Sequence, residues 1–205
     1  MNIDSITSLK IKEIKIISYV PFIDSRGYFM ELFRKSDMEK SDLALSSSFV
    51  QINESFSLKY TLRGLHFQWD PYMGKLVRVI DGWMIDLVLD IRKSSKTFGK
   101  IIAYSMKNSV KNNKKEWIWI PPGFAHGNFF IENTIIEYLC TGEYNPKTES
   151  GISPLAEDID WSLCDRDLRL LLNFDKYETI HISNKDRHGN TLLQWKNNGN
   201  SNYFI

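Results

Sequence analysis

The stretch Thr61-Leu62-Arg63-Gly64-Leu65-His66-Phe67-Gln68, followed across the turn 69–74 by Lys75-Leu76-Val77-Arg78-Val79, decides how the chain is read. It is too apolar for a surface loop and too rich in ionisable groups for ordinary core. Taken as two strands, its period of two sets Gly64, His66 and Gln68 on one face of the first and Lys75, Val77 and Val79 on one face of the second. If those faces meet, an imidazole that titrates near neutral pH shares a concave space with a fixed cation. A base so placed takes a proton from carbon, and the cation holds the enolate that results.

Outward from this stretch the pattern is all-β. Strands are expected at 49–56, 61–68, 75–81, 84–91, 100–106, 116–120, 127–131 and 134–140, with turn residues at short intervals. Asp81-Gly82, between two apolar runs, reads as a hairpin because the dipeptide accepts the positive φ of a two-residue turn. Many short strands with such turns indicate a jelly-roll sandwich or barrel with a few short peripheral helices. Upstream, 14–19 is a β-branched run, and PFIDSRG at 21–27 is a turn that delivers an extended piece, 28–33. Glu31 on that piece reads as a rim charge or a cation's partner, with Arg26 as its obvious partner or as an anion ligand. A helix is expected at 36–45, capped by Ser36 or Asp37 and carrying Met38, Leu43 and Leu45. Another is expected at 165–172, where Leu168, Leu171 and Leu172 have helical spacing. The polar string 107–115 lacks interleaved aromatics and reads as an exposed loop, not a nucleic-acid patch. We expect one domain over 1–190, followed by an Asn-rich tail, 191–205, that either docks through Tyr203-Phe204-Ile205 or is disordered.

Composition narrows the function classes. The chain has 205 residues, enough for one sizeable core, and its 26 Lys and Arg against 25 Asp and Glu give no field that favours nucleic acid or a membrane surface. An anionic ligand must therefore be met by local charges. Cys140 and Cys164 have neither metal-ligand spacing nor disulfide-scaffold density, which points to a reducing, cytoplasmic setting. The N-terminus lacks a basic region followed by an apolar core, and no run approaches the ~20 apolar residues of a membrane span, so a soluble, unexported protein is expected.

Two chemistries compete for the polar residues of the barrel. Pro121-Pro122-Gly123-Phe124-Ala125-His126 looks like the second half-motif of a cupin metal site, but His66-Phe67-Gln68 stands where a His-x-His would be needed. Two imidazoles without further ligands make a poor metal site, so no metal and no cofactor are expected. The alternative is acid and base chemistry on carbon. His66 alone would be weak support; Lys75, His126, Tyr138 and Arg63, in or beside strands of the same barrel, strengthen it. Tyr138 shares a face with apolar residues in Ile136-Glu137-Tyr138-Leu139-Cys140, so a core tyrosine with a satisfied hydroxyl competes with a proton donor.

The strings DSRGYFME at 24–31, QINES at 51–55, LRGLHFQ at 62–68, KLVRV at 75–79, IPPGFAHG at 120–127, Tyr138 with Tyr144-Asn145-Pro146, and SNKD at 183–186 occur in the order seen in the dTDP-4-dehydrorhamnose 3,5-epimerase family, which the chain resembles from about residue 14 to 190. The resemblance implies a metal-free, cupin-type jelly-roll homodimer acting on a nucleotide-linked 4-keto-6-deoxyhexose. It makes His66 the base, Asp186 its carboxylate partner and Tyr138 the proton donor. Lys75 and His126 fall at sugar-contacting positions, and Arg26, Glu31, Gln51, Asn53, Arg63, Glu149 and Lys185 at nucleotide or substrate positions; Tyr144 resembles the residue that stacks on thymine. The chemistry agrees: a C4 ketone acidifies the hydrogens on C3 and C5 alike, so one base serves both, Lys75 stabilises the enolate, and Tyr138 returns the proton from the far face. Strand parity puts Arg63 opposite His66, so its contact requires a bend at Gly64 or a partner subunit. Asn128 stands where the family commonly has Phe, Ser162 where it has Pro, and extra residues lie between Trp161 and Ser183. Inversion of C3 alone or C5 alone, or a non-catalytic sugar-binding jelly roll, are the alternatives.

Overall fold

Alternation fixes most of the strands, and the places where it breaks fix how they join. The computed structural model describes residues 2–40, 49–109 and 115–205. The chain opens with β1 (Ile3–Ser8), β2 (Lys15–Tyr19), a ribbon of β3 (Phe22–Asp24) and β4 (Gly27–Phe29), and the helix α1 (Lys35–Lys40). Then come β5 (Gln51–Ser57), β6 (Thr61–Gln68), β7 (Lys75–Asp90), β8 (Ile101–Asn108), β9 (Lys115–Ile120), β10 (Phe124–Phe130) and β11 (Thr134–Cys140). The last part holds β12 (Glu149–Gly151), α2 (Arg166–Leu171), β13 (His181–Ile182), α3 (Asn184–Arg187) and α4 (Leu192–Asn197). The expected helix residues Leu43 and Leu45 and most of the polar string after Ser109 lie outside the described residues.

Two antiparallel sheets share β7. One runs β1-β2-β9-β7-β11-β5, the other β8-β7-β10-β6-β12 with β13 added in parallel to β6. The hairpin expected at Asp81-Gly82 is absent. β7 runs straight on through it, pairing with β9 and β11 in its first half and with β8 and β10 in its second. Each half already has a neighbour on both sides, so a reversal would have nothing to gain. Gly82 uses its positive φ of +108° to pass the strand from one sheet to the other instead. β1, which the sequence reading leaves out, caps the edge of the first sheet.

Val77, Val79, Met84, Val88, Ile118, Phe130 and Ile136 fill the space between the sheets. The outer face of the second sheet is buried as well, under the segment after Ile152, which explains why β10 and the second half of β7 lack a polar alternation. In that cover Trp195 lies 4.5 Å from Phe67 by ring centroids, and Phe204 packs edge-on against the same ring. Thr191 and Gln194 form a capping box at the start of α4. The Asn-rich tail thus docks on the back of the strand that carries His66. The residues inserted after Trp161 act likewise: Phe174 and Tyr177 each sit 5.2 Å from Phe129, outside the barrel.

Candidate active site

The front of β6 begins with a break in its own alternation. Its pairing with β10 sets His66 opposite His126 and Arg63 opposite Asn128, so that Gly64 and Leu65 on one strand stand against Gly127 alone on the other. This bulge lies at Gly64, with φ of +107°, where a Cβ would come within 2.6 Å of Gly127 Cα. Consequently Leu62, Leu65 and Phe67 all face the outer core, whereas Arg63 and His66 line the same cavity. The bend required of Arg63 is there. Its guanidinium donates to Ser57 Oγ at 2.9 Å.

His66 Nε2 meets Asp186 Oδ1 at 2.7 Å, which leaves Nδ1 as the ring's open nitrogen. Asp186 is delivered by α3, whose N-cap Ser183 accepts the Asp186 backbone N–H, and its second oxygen accepts the Gly64 N–H at 3.3 Å. Burial works against the Asp186 charge, but the hydrogen bond and charge of His66, with the Gly64 N–H, outweigh it and hold the carboxyl below the usual carboxylate range. The His66 ring is thereby fixed in orientation and paired with an ionised carboxylate.

The opposite wall comes from the other sheet. Tyr138 on β11 stands level with Asn53 on β5 and Val77 on β7, and Cys140 level with Gln51 and Lys75, so the period of two turns Tyr138, Cys140, Lys75, Asn53 and Gln51 inward together. His66, Lys75 and Tyr138 border both lobes of the cavity, of about 310 and 170 Å³. The Tyr138 hydroxyl has no hydrogen-bond partner among the described residues, and its side chain lines the cavity. Burial raises its pKa above that of an ordinary phenol, so it stays protonated at neutral pH and can donate. Burial also lowers the Lys75 pKa, against the pull of Cys140, Asp86 and Glu149; among the described residues no carboxylate lies within 4.0 Å of its ammonium. That cation is left for a ligand.

The mouth is built from carbonyl and amide contacts. Gln51 Oε1 accepts the Tyr144 N–H at 2.8 Å, and Gln68 Oε1 accepts the Asn145 N–H at 2.8 Å, which holds the half-exposed Tyr144 ring at the cavity rim. Gln51 also donates to Asn53 at 3.0 Å, and Glu149 pairs with Lys185 at 2.7 Å beside them. Thus Gln51, Asn53, Arg63, His66, Lys75, His126, Tyr138, Tyr144 and Glu149 line the cavity, with Lys185 on its border and Asp186 behind the base. Arg26 and Glu31 are not brought there. Nor do they pair with each other: Arg26 binds Asp24 at 2.7 Å and Glu31 binds Arg34 at 2.7 Å, because both partners lie within three residues on the exposed ribbon and its exit.

Of the polar residues at the site, Asp86 escapes the sequence reading altogether, while Gln68 is read only as sharing the His66 face and Asn128 only as a departure from the family. Asp86, wholly buried, accepts from His126 Nε2 at 2.8 Å and from Asn128 Nδ2 at 3.0 Å. Its signal was available, since Asp86 and Asp90 interrupt an otherwise apolar run, and a carboxylate buried in a strand must have a cationic or hydrogen-bonding partner. Asp90 has its own, Arg92, and serves structure. Among the described residues no three His, Cys, Asp or Glu side chains converge on a possible metal position. No helix there is long and apolar enough to cross a membrane.

Comparison with known proteins agrees with this arrangement. The family model described as dTDP-4-dehydrorhamnose 3,5-epimerase matches residues 8–194. A protein of that name from Methanothermobacter thermautotrophicus is 38% identical over 182 residues, covering 87% of this chain and 89% of the relative. The protein of that name from Escherichia coli K12 is 37% identical over 186 residues, covering 89% and 91%. Among solved structures, a dTDP-6-deoxy-D-glucose-3,5-epimerase from Legionella pneumophila in complex with dTDP-4-keto-L-rhamnose superposes with a TM-score of 0.78 at 35% identity, covering 92% of this chain and 93% of that one. The dTDP-4-dehydrorhamnose 3,5-epimerase of Sulfolobus tokodaii gives 0.76 at 34%, covering 95% and 97%. With a jelly-roll fold, an imidazole–carboxylate pair facing a tyrosine, and relatives matched along nearly their whole length, the chain belongs to the dTDP-4-dehydrorhamnose 3,5-epimerase family of isomerases.

Proposed function

We propose that the protein epimerises a dTDP-linked 4-keto-6-deoxyhexose at C3 and C5, using its own side chains and no metal. The observation that carries this reading is the placement of His66, oriented by Asp186, and of the unbonded Tyr138 hydroxyl on opposite sheets of one cavity with Lys75 beside both. His66 Nδ1 takes the hydrogen from the carbon next to the ketone, Lys75 stabilises the enolate oxygen, and Tyr138 protonates the far face. Gln51, Asn53, Arg63, Glu149 and Lys185 hold the nucleotide and sugar, His126 touches the sugar, and Tyr144 at the rim stacks on the base. Incubating the protein with dTDP-4-keto-6-deoxyglucose in D₂O and counting deuterons at C3 and C5 by NMR tests it. Deuterium with inverted configuration at both carbons is expected; an unchanged sugar overturns the reading.

The working unit is a homodimer. Among the described residues β5 ends its sheet, and Ile52 and Phe56 on its outer face, like Phe22, Ile23 and Phe29 on the ribbon, are exposed apolar side chains. A second copy covers them, and its cavity is the one to which the ribbon brings Arg26 and Glu31. Sedimentation of the protein as a monomer at micromolar concentration would refute this.

A further inference from the structure

The cavity holds two imidazole–carboxylate pairs, and only one of them has been given chemistry. His66 and His126 are direct neighbours across β6 and β10, and each has Nε2 on a carboxylate oxygen, at 2.7 and 2.8 Å. Their surroundings differ. The His66 and Asp186 side chains are 31% and 7% exposed, those of His126 and Asp86 8% and 0%. Asp186 sits on a surface helix and takes a backbone N–H; Asp86 sits in the second half of β7, takes the Asn128 amide, and has its other oxygen, Oδ1, buried without a partner among the described residues.

We infer that Asp86 and Asn128 are positioning residues that lock His126 as the neutral Nε2–H tautomer, so that its Nδ1 accepts a hydrogen bond from a hydroxyl of the bound sugar. The inference rests on the epimerase reading for the identity of that sugar and on geometry for the rest. The oxygen that faces Nε2, Asp86 Oδ2, already accepts the Asn128 amide, and toward an accepting oxygen the ring nitrogen must carry the hydrogen. Asn128 Nδ2 donates to the same oxygen, Oδ2, and lies 3.4 Å from Nε2; it fixes that oxygen where the ring can reach it. A second proton on the ring is disfavoured by burial first, and by Lys75 and His66, with Asp86 opposing. Arg63, Asp186 and Tyr138 complete the ionisable groups of the same lobe. The ring therefore stays neutral and shows a lone pair to the cavity from Nδ1, for which no partner exists among the described residues.

A lone pair has a definite taste. It repels the keto oxygen, the enolate and phosphate, all acceptors, and it binds an O–H. The keto oxygen is thus steered to Lys75, and one sugar hydroxyl to His126, which sets the ring of the sugar in register with the base. The same two residue types act as base where the pair is half open and as hydroxyl reader where it is closed.

Nitrogen-15 NMR of the ligand-free protein reads the tautomer directly, with His126 assigned from a His126→Gln variant. Expected is a protonated Nε2 and a bare Nδ1 that does not titrate between about pH 5 and 8. A protonated Nδ1, or an imidazolium at neutral pH, overturns the inference whatever the protein does to sugars. In Asp86→Asn the amide can donate to Nε2, so the Nδ1–H form should appear; KM for the keto sugar should then rise about tenfold, the order of one lost hydrogen bond, with a smaller change in kcat. The Kd of dTDP, which lacks the sugar, should not move. Asn128→Ala, which leaves the carboxylate in place, should show the same split at smaller size and serves if Asp86→Asn does not fold. A tautomer change that leaves KM as it was would remove the hydroxyl-reading role. An inert wild type in D₂O would remove the epimerase reading and leave the spectrum to decide the tautomer.

Discussion

The cavity wall and the ribbon of β3 and β4 teach opposite lessons about how a chain places its functional groups. On the wall, His66, Lys75, Tyr138, Gln51 and Asn53 sit on paired strands, and the register of four strands fixes where each side chain points. On the ribbon and its exit, Arg26 and Glu31 belong to a two-stranded piece that pairs with no other strand among the described residues, and local ion pairs join them to Asp24 and Arg34. Such exposed pairs are screened by solvent and yield easily to a better partner. Wall residues are positioned by strand register within one chain; ribbon residues are held by ion pairs with near neighbours in sequence.

The largest effect should follow from removing the base on the wall. His66→Ala is expected to abolish deuterium uptake at both C3 and C5, by about 10³-fold or more, because it deletes the proton acceptor outright. Binding of dTDP should remain close to wild type. Uptake near the wild-type rate would show that the register of β6 does not place the base.

The same contrast explains what could be read from the residues alone. Periodicity is local, so nearly every strand of the wall was legible, as was the inward face of β11 with Tyr138. The course of β7 was not, because Asp81-Gly82 suits a hairpin and a bend equally, and only the neighbours on both sides of each half choose between them. The bulge at Gly64, which settles the side on which Arg63 stands, needs the close approach of Gly127 on another strand. The pairing of Asp186 with His66 spans 120 residues and came from family resemblance, not from spacing. Asp86 carries a local sign, a carboxylate inside an apolar run, but its partners His126 and Asn128 lie about 40 residues away on another strand, where no spacing points.

Second in size is Tyr138→Phe, which keeps the ring and removes only the proton. The base can still form the enolate, so exchange should outlive inversion: deuterium enters with retention, and inversion slows by about 10²-fold or more. Since the hydroxyl has no partner among the described residues, melting should change little. A destabilised variant that inverts normally would return Tyr138 to the core.

The ribbon is tested by mixing. Arg26→Ala alone should raise KM, and His66→Ala alone is dead. If the ribbon serves the partner's cavity, a mixed dimer of the two variants has one complete site, and equal mixing should restore about a quarter of wild-type activity by random pairing. No restoration would mean that Arg26 serves its own chain or none.

The smallest effect concerns Asp186, the wall's one member delivered by a helix instead of a strand. Its carboxyl lies below the usual range in the folded chain, and in the unfolded chain it returns to about 3.9. A group with a depressed folded pKa adds stability that is complete above the unfolded value and is lost as pH falls through the folded one. Asp186→Asn, which resembles the protonated side chain, should therefore be less stable than wild type at neutral pH by about 1.5–3 kcal/mol, the range for a hydrogen bond to a charged group, or melt about 3–12 °C lower for a chain of this size. The gap should begin to close as pH falls below about 3.9, the unfolded value, and vanish only below the depressed folded pKa, where wild type loses the same charge. A gap that persists unchanged at pH 3 would mean that the carboxylate contributes by shape alone. The Ser183 cap, which accepts the Asp186 backbone N–H in either variant, would then be what seats the helix against β6.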